Sequence, residues 1–217
     1  MGGAALSVGV EGAARRRVGL FGGSFDPIHH GHVAPVQAAR EALGLERVVV
    51  LPTARPPHKP QRRLASPLAR FAMVELALLA EPGLYVSDHE LTLGRPAYTV
   101  ETVEWFRAEL PDADLHLLVG ADSFVELPTW RRWRELTELA RLVVLARPGW
   151  ELARVLPELP AELSRLVEAG RIDFVTHRLV DLSATEVREA LARGEDPPPG
   201  SVPGLVLDYI RKYSLYR

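Results

Sequence analysis

Alternating apolar and polar stretches along the chain predict strands and helices in turn. Residues 18–21 form a short unbroken apolar run, which is typical of a buried strand. Beyond it, apolar residues recur at helical spacing as far as Gly44, a residue type that often ends helices. Residues 47–51 then predict a second buried strand. The first fifty residues therefore contain a strand, helix, strand unit.

The same alternation continues along the chain. Ser66 followed by Pro67 predicts a helix start, since serine caps helices and proline suits the first helical position. We expect strands over residues 84–86, 115–119, 141–145 and 172–175, and helices over residues 67–80, 98–110, 130–136, 151–169 and 183–194. This alternation predicts an α/β protein: a Rossmann-like, doubly wound parallel sheet with helices on both faces, in a single domain.

Length and composition suit one domain. Of the 217 residues, 47% are hydrophobic and 25% are charged, which is enough to bury a full core. We expect this domain over residues 18–217, after a poorly ordered Gly/Ala-rich tail over residues 1–17. A formal net charge of -2 argues against broad affinity for nucleic acid or membrane surfaces. With no cysteine and no membrane-spanning apolar run, the sequence predicts a disulfide-free cytoplasmic protein.

Residues 22–32, GGSFDPIHHGH, carry the clearest candidate chemistry, and we call them the signature segment. They lead into a helix start, which offers N–H groups and a partial positive charge to an anion. The two leading glycines would let a phosphate approach the backbone, and Gly31 would let a flat group lie against it. His29 and His32 are three residues apart, so we expect them on one side of the helix, donating hydrogen bonds to phosphoryl oxygens.

Two alternatives for the signature segment remain open. In one, a metal ion is bound by His29, His30, His32 and Asp26. Adjacent histidines point apart on a helix and no cluster of carboxylates lies nearby in sequence, so we predict no metal site formed by the protein alone. In the other, the segment is a surface turn in which the histidines are incidental.

A second candidate phosphate site begins at Ser183. Ser183 and Glu186 have the spacing of a capping box, which by itself is more often only a well-capped helix. Here Thr185 and Arg188 also lie three residues apart, so a hydroxyl and a guanidinium would stand beside the N–H groups of the helix start. The chain contains neither a P-loop nor a G-x-G-x-x-G motif, so phosphate binding must use another device.

The signature segment resembles that of the nucleotidylyltransferase superfamily, whose H-x-G-H element is matched by His29, His30, Gly31 and His32. Later segments resemble the bacterial nicotinate-mononucleotide adenylyltransferases, over about residues 18–217. This resemblance implies that the ATP-binding residues are Gly22, Gly23, Ser24, Phe25, Gly31, Ser183, Thr185 and Arg188. It implies catalytic roles for His29, His32, Lys59 and Arg188. Ala184 departs from the family's second motif, so a hydroxyl usually found there is missing.

Three further motifs imply how the acceptor is recognised. The loop LPTARPPHK resembles the family loop whose lysine approaches the phosphates, which is the basis for Lys59, although a solvated loop charge remains an alternative. RPAYTVET and GADSFVELPTWRRW resemble the segments that receive the pyridine carboxylate and border the nicotinate nucleotide. The acceptor-binding residues implied by these motifs and by RPG are Tyr98, Thr99, Asp122, Trp130 and Arg147. Trp133 is expected to pack in the core.

The implied activity is transfer of the adenylyl group of ATP to nicotinate mononucleotide, which gives nicotinate adenine dinucleotide and pyrophosphate in NAD biosynthesis. Magnesium is expected to arrive with ATP. The acceptor phosphate is already anionic, so catalysis requires positioning and charge stabilisation and no general base. The alternatives are an adenylyltransferase with another acceptor, such as phosphopantetheine, a non-catalytic nucleotide sensor, and a metal-dependent hydrolase.

Overall fold

Six strands form one parallel sheet in the computed structural model, which describes residues 15–54, 64–146, 150–176 and 182–217. The strands are β1 (Arg16–Gly23), β2 (Arg47–Pro52), β3 (Leu84–Val86), β4 (Ala113–Gly120), β5 (Arg141–Ala146) and β6 (Ile172–Thr176). Their spatial order is β3-β2-β1-β4-β5-β6, and every neighbouring pair is parallel. This is the strand order of a Rossmann-like doubly wound sheet, so the predicted fold class is confirmed.

The helices form two layers, because each face of the sheet has its own hydrophobic core. Leu117 and Leu118 are consecutive in β4 and point into different cores. The helices of the described residues are α1 (His30–Leu43), α2 (Pro67–Leu78), α3 (His89–Thr92), α4 (Thr99–Glu109), α5 (Ala121–Glu126), α6 (Trp133–Leu139), α7 (Leu152–Val155), α8 (Ala161–Glu168), α9 (Ala184–Ala192) and α10 (Gly204–Lys212). One core contains residues of α4, α5, α6 and α8, and the other contains residues of α1, α2, α9 and α10. Within these ranges, every helix is too short or too polar to cross a bilayer.

Local capping chemistry places several helix ends where the sequence predicts them. The Oγ atom of Ser66 accepts a hydrogen bond from the N–H of Ala69 (3.2 Å), and Pro67 occupies the first position of α2. α1 ends before Gly44, whose φ of 60° lies in the left-handed region that glycine adopts without strain. These ends depend on residues that are neighbours in sequence, which explains why the predictions are confirmed.

Two predictions of local structure are wrong. Trp130 does not lie on a helix: it follows a 3₁₀ turn in an extended conformation, and the chain passes through a left-handed residue before α6 begins. The helix expected over residues 151–169 is interrupted between α7 and α8 by a second 3₁₀ turn and by Pro160, because proline disfavours continuation of a helix. In addition, β1 begins at Arg16, two residues before the expected domain boundary, and residues 1–14 lie outside the described ranges.

The end of β1 packs closely against the residues that follow it. Phe25 has a φ of 46°, in the left-handed region that bulky residues avoid, and the residue is only 1% exposed. A Cβ atom on Gly23 would lie 2.7 Å from the Cζ atom of Phe25, whereas a Cβ atom on Gly22 would meet nothing within 4 Å. The packing of the protein therefore requires glycine at position 23, and at position 22 it leaves open space.

We expect Gly23→Ala to lower the free energy of unfolding by roughly 1–3 kcal/mol, the usual cost of overpacking a buried position, because the added methyl group meets the ring of Phe25. Gly22→Ala is the matched control, since it adds the same group to the adjacent residue of β1, where nothing lies within 4 Å. Urea unfolding of both variants measures the difference. Equal stability of the two variants would contradict this account of the packing.

Candidate active site

The signature segment lies at the centre of the sheet, at the edge formed by the carboxyl ends of the strands. The segment directly follows β1. The neighbouring strand β4 begins the other half of the sheet, in which successive strands are added in the opposite direction. In doubly wound sheets, the crevice outside the strand ends at this reversal is the usual ligand site. The start of α9 also reaches this edge, because the guanidinium of Arg188 donates a hydrogen bond to the backbone carbonyl of Asp26. The two phosphate-binding segments predicted from the sequence therefore come together.

The two histidines of the signature segment stack on each other. Their ring centroids are 3.8 Å apart, which confirms that they project to the same side of the helix start. The backbone N–H of His29 donates a hydrogen bond to Nδ1 of His32 (3.3 Å), so a neutral His32 carries its proton on Nε2. The ring of Phe25 meets that of His32 edge-on, with centroids 5.2 Å apart. These contacts orient His32 with Nε2 as a hydrogen-bond donor.

Gly31 is needed by the histidine pair. A Cβ atom on Gly31 would lie 2.9 Å from both Nδ1 and Cε1 of His29, whose side chain is buried and has little room to move. The expectation that a flat group lies against this glycine is met by the imidazole of His29, which belongs to the protein itself. Glycine at this position therefore sets the orientation of the two rings.

Arg188 connects α9 to the signature segment. Its Nη1 donates a hydrogen bond to the backbone carbonyl of Asp26 and lies 3.8 Å from Oδ2 of the same residue. Its Nη2 donates a hydrogen bond to Oγ1 of Thr185 (3.0 Å). The structure thus brings the guanidinium and the hydroxyl predicted for the second phosphate site beside the first one. Because both Nη atoms make hydrogen bonds within the protein, the planar guanidinium has a fixed orientation and is preorganised to donate to phosphoryl oxygens.

Ser183 has a structural role at the start of α9. Its Oγ accepts a hydrogen bond from the N–H of Glu186 (3.2 Å) and donates one to Oε2 of that residue (2.9 Å). The backbone N–H of Ser183 also donates to this carboxylate, and these hydrogen bonds lower the pKa of Glu186. The predicted capping box is confirmed, and it already uses the hydroxyl that the sequence also assigned to ATP.

A cavity of about 500 Å³ joins the predicted nucleotide and acceptor residues. Gly22, Gly23 and Ser24 line it together with Tyr98, Thr99 and Trp130. These residues come from the end of β1, the start of α4 and the turn after α5, which are far apart in sequence. A cavity of this size is in the range that encloses small-molecule ligands. The structure therefore brings these six predicted binding residues together around one space.

The side of the cavity where the acceptor is predicted to bind is built by the start of α4. Tyr98 is the residue before the helix and has an extended backbone, so the first N–H groups of α4 follow directly after it. The guanidinium of Arg131 lies 4.5 Å from the centroid of the Tyr98 ring, and it pairs with Glu101 of the same helix at 3.6 Å. This side of the cavity combines aromatic surface with hydrogen-bond donors.

Eight of the predicted site residues that the structure describes are not among the residues that line this cavity: Phe25, His29, Gly31, His32, Asp122, Ser183, Thr185 and Arg188. Asp122 lies in the first turn of α5 and is exposed, and the neighbouring Gly120 and Ser123 line the cavity in its place. Lys59 and Arg147 lie outside the described residues, so their assignments stay predictions. In the ranges that the structure describes, no three His, Cys, Asp or Glu side chains are grouped so that they could hold a metal ion.

Sequence reasoning missed Arg70, which is fully buried beneath the site. Its guanidinium donates hydrogen bonds to the carbonyl oxygens of Ser24 (2.6 Å), Ala54 (3.1 Å) and Ala65 (3.1 Å). Burial lowers the pKa of Arg70, and the nearby carboxylate of Asp26 opposes that effect. In the sequence, Arg70 is an ordinary charged residue of a predicted helix, and nothing there signals that it faces inward.

Glu90 is a second buried residue that the sequence did not reveal. It lies in the short helix α3, lines the cavity, and accepts a hydrogen bond from Oγ1 of Thr102 (2.9 Å). Burial raises the pKa of Glu90, and hydrogen bonds from Thr102 and Thr53 partly offset this rise. A carboxyl group in this position links the end of β2 to α4 and adds a polar group to the cavity wall.

A larger cavity of about 820 Å³ lies at the opposite edge of the sheet, where the strands begin. Its lining includes Arg17, Arg141 and Asp173, and the last two form an ion pair at 2.6 Å. Burial lowers the pKa of His116, which also lines this cavity. The charges here are mixed, and the cavity lies away from the strand ends that bind ligands in this fold. We therefore assign the site to the smaller cavity at the carboxyl edge.

The chain has clear relatives over most of its length. The family model described as cytidylyltransferase-like matches residues 20–190. A protein of Aeromonas salmonicida named probable nicotinate-nucleotide adenylyltransferase is 41% identical over 214 residues, which cover 92% of this chain and 97% of the relative. A protein of the same name from Laribacter hongkongensis is 43% identical and covers 94% of this chain and 96% of its own length.

Solved structures share the fold at lower identity. The nicotinic acid mononucleotide adenylyltransferase of Plasmodium falciparum, complexed with NaAD, superimposes with a TM-score of 0.72 at 17% identity, covering 93% of this chain and 98% of that one. This likeness supports the fold alone, whereas the family model and the curated relatives reach the signature segment and α9. The chain therefore belongs to the cytidylyltransferase-like family and, with its relatives, to the nicotinate-nucleotide adenylyltransferases.

Proposed function

We propose that the protein transfers the adenylyl group of ATP to nicotinate mononucleotide, forming nicotinate adenine dinucleotide and pyrophosphate. The observation that carries this proposal is the cavity of about 500 Å³ lined by both the glycines of β1 and the start of α4. Direct transfer between two nucleotides needs both of them in one crevice, with the acceptor phosphate in line with the α-phosphorus of ATP. The names of relatives at 41% and 43% identity agree with this reaction. Because ATP is its substrate, we place the reaction in the cytoplasm.

The triphosphate would bind where the signature segment meets α9. Nε2 of His32 and the guanidinium of Arg188 are the oriented side-chain donors there, and the N–H groups at the start of α1 add to them. As the bond to pyrophosphate breaks, negative charge builds on the leaving group, and donors that are already in place stabilise it without reorganising. Lys59 would add an ammonium group. Magnesium would enter as part of the ATP substrate, bound mainly through its phosphates.

The acceptor would place its pyridine ring between Tyr98 and Trp130 and its carboxylate at the start of α4. The N–H groups of a helix start are donors only, which suits a carboxylate better than a carboxamide. The attacking phosphate oxygen is already charged, so the protein has to position it and does not have to remove a proton.

Two other functions remain as alternatives. An adenylyltransferase for phosphopantetheine would share the signature segment, but the Tyr98–Thr99 and Trp130 segments at the cavity favour a nicotinate acceptor. A nucleotide sensor would bind ATP without turnover. Release of pyrophosphate that depends on the acceptor separates these possibilities, because a sensor releases none and a phosphopantetheine enzyme requires a different acceptor.

The first prediction concerns acceptor choice. In a pyrophosphate-release assay with ATP and magnesium, we expect nicotinate mononucleotide to be used with a kcat/KM at least roughly a hundredfold above that of nicotinamide mononucleotide, because the amide leaves a buried polar group poorly matched. Phosphopantetheine is the acceptor control and should give only background release. Equal use of the acid and the amide would disprove the assignment of the acceptor pocket, and no release with any acceptor would favour a sensor.

The second prediction concerns His32. We expect His32→Ala to lower kcat by roughly a hundredfold or more, because a donor to the developing charge is lost. In His32→Gln the side-chain oxygen can still accept the N–H of His29 and the amide group can still donate, so we expect a smaller loss of kcat than in His32→Ala. His30→Ala is the matched control, because it removes a neighbouring imidazole that lies between the stacked pair in sequence. Near-normal turnover in folded His32→Ala would refute the assignment.

A further inference from the structure

Asp26, in the signature segment, is a buried carboxylate that contacts three distant parts of the chain. It is 2% exposed. Its Oδ1 accepts hydrogen bonds from the N–H of Ala65 (3.0 Å) and from the hydroxyl of Tyr216 (2.7 Å). Its backbone carbonyl and its other carboxylate oxygen face Arg188. A buried charge of this kind is tolerated only when such partners surround it.

Tyr216 reaches Asp26 from the segment that follows α10. Its φ is 68°, in the left-handed region that a bulky residue adopts only when the surrounding structure determines it. Its side chain packs against the core that contains α1, α2, α9 and α10. Burial raises the pKa of Tyr216, so the phenol stays protonated and donates at neutral pH. The backbone conformation and the hydrogen bond therefore both indicate that Tyr216 is held in a defined place.

The same part of the chain contacts the signature segment a second time. The carbonyl oxygen of Ser201 accepts a hydrogen bond from the backbone N–H of His30 (2.9 Å). Between Ser201 and Tyr216, the buried side chains of Val206 and Ile210 anchor α10 in the core. The path from β1 to α1 is thus held at Asp26 and again at His30, on either side of His29.

We propose that residues 201–216 act as a brace for the signature segment and that Tyr216 is its positioning residue. The brace lies beyond the part of the chain that the cytidylyltransferase-like model matches, which ends at residue 190. Its effect passes through Asp26, because the backbone carbonyl of Asp26 also accepts a hydrogen bond from Nη1 of Arg188. The hydrogen bond between Tyr216 and Asp26 therefore helps to set the position of the signature segment relative to the start of α9. Tyr216 itself does not touch the nucleotides; it holds the residues that do.

The test uses Tyr216→Phe, which removes one oxygen atom and keeps the ring. Tyr213→Phe is the matched control, because Tyr213 belongs to the same segment and is 56% exposed. Hydrogen exchange of the full-length protein is followed at the amides of residues 22–32, with the amides of β5 as an internal reference for global stability. We expect exchange in the signature segment to be about tenfold faster in Tyr216→Phe, since a hydrogen bond to a buried charge is lost, and unchanged in Tyr213→Phe.

The kinetic part of the inference rests on the proposed function. In the pyrophosphate-release assay we expect Tyr216→Phe to lower kcat about tenfold, with little change in the KM of nicotinate mononucleotide, because the displaced groups are those near the phosphates. Unchanged exchange at residues 22–32, or a rise that is equal in β5, would overturn the brace. If the unsubstituted enzyme released no pyrophosphate, the proposed function would fail, while the exchange measurement would still decide the brace.

Discussion

A group of buried charges beneath the carboxyl edge of the sheet is the constraint on which the rest of the site depends. Arg70 has no access to water, and a buried guanidinium costs several kcal/mol unless its donors are satisfied. The carbonyl oxygens that satisfy them belong to the segments after β1, after β2 and before α2. Asp26 supplies the nearby negative charge. Shifting any of these segments would leave a buried polar group unpaired, so their relative positions are fixed.

This arrangement suits a reaction in which little proton transfer is needed. When the nucleophile is already an anion, the protein contributes mainly by holding donors where charge develops. The donors are held here by buried contacts: His32 by a backbone N–H and the ring of Phe25, and Arg188 by the carbonyl of Asp26. Exposed ion pairs, such as that between Arg132 and Glu104 (2.7 Å), are screened by water and contribute little to this order.

Much of the fold could be predicted because its signals are local. Apolar runs of strand length predict β2 and β5, and the Ser66–Pro67 and Ser183–Glu186 pairs predict the starts of α2 and α9. Predictions failed where a local pattern was overridden. Trp130 has helical spacing with Trp133, yet the chain turns between them, because the side chain of Trp130 packs against the core beside the cavity. No helix was predicted for α3, α5 or α10. α3 and α5 have only four and six residues, whereas α10 has apolar residues at helical spacing, with Val206 and Ile210 buried, and this pattern could have revealed it.

The sequence by itself determined the fold class, a doubly wound parallel sheet with helices on both faces, and the positions of the two helix starts that are predicted to bind phosphate, because each of these follows from neighbours in the chain or from a recognisable motif. Only the tertiary structure decided that the ring against Gly31 is that of His29, that Arg70 and Glu90 face inward, and that Tyr216 bonds to Asp26. The last two residues are 190 positions apart. Such contacts depend on how layers of helices pack on a sheet, and hydrophobic periodicity records which side of an element is buried but not what it meets there.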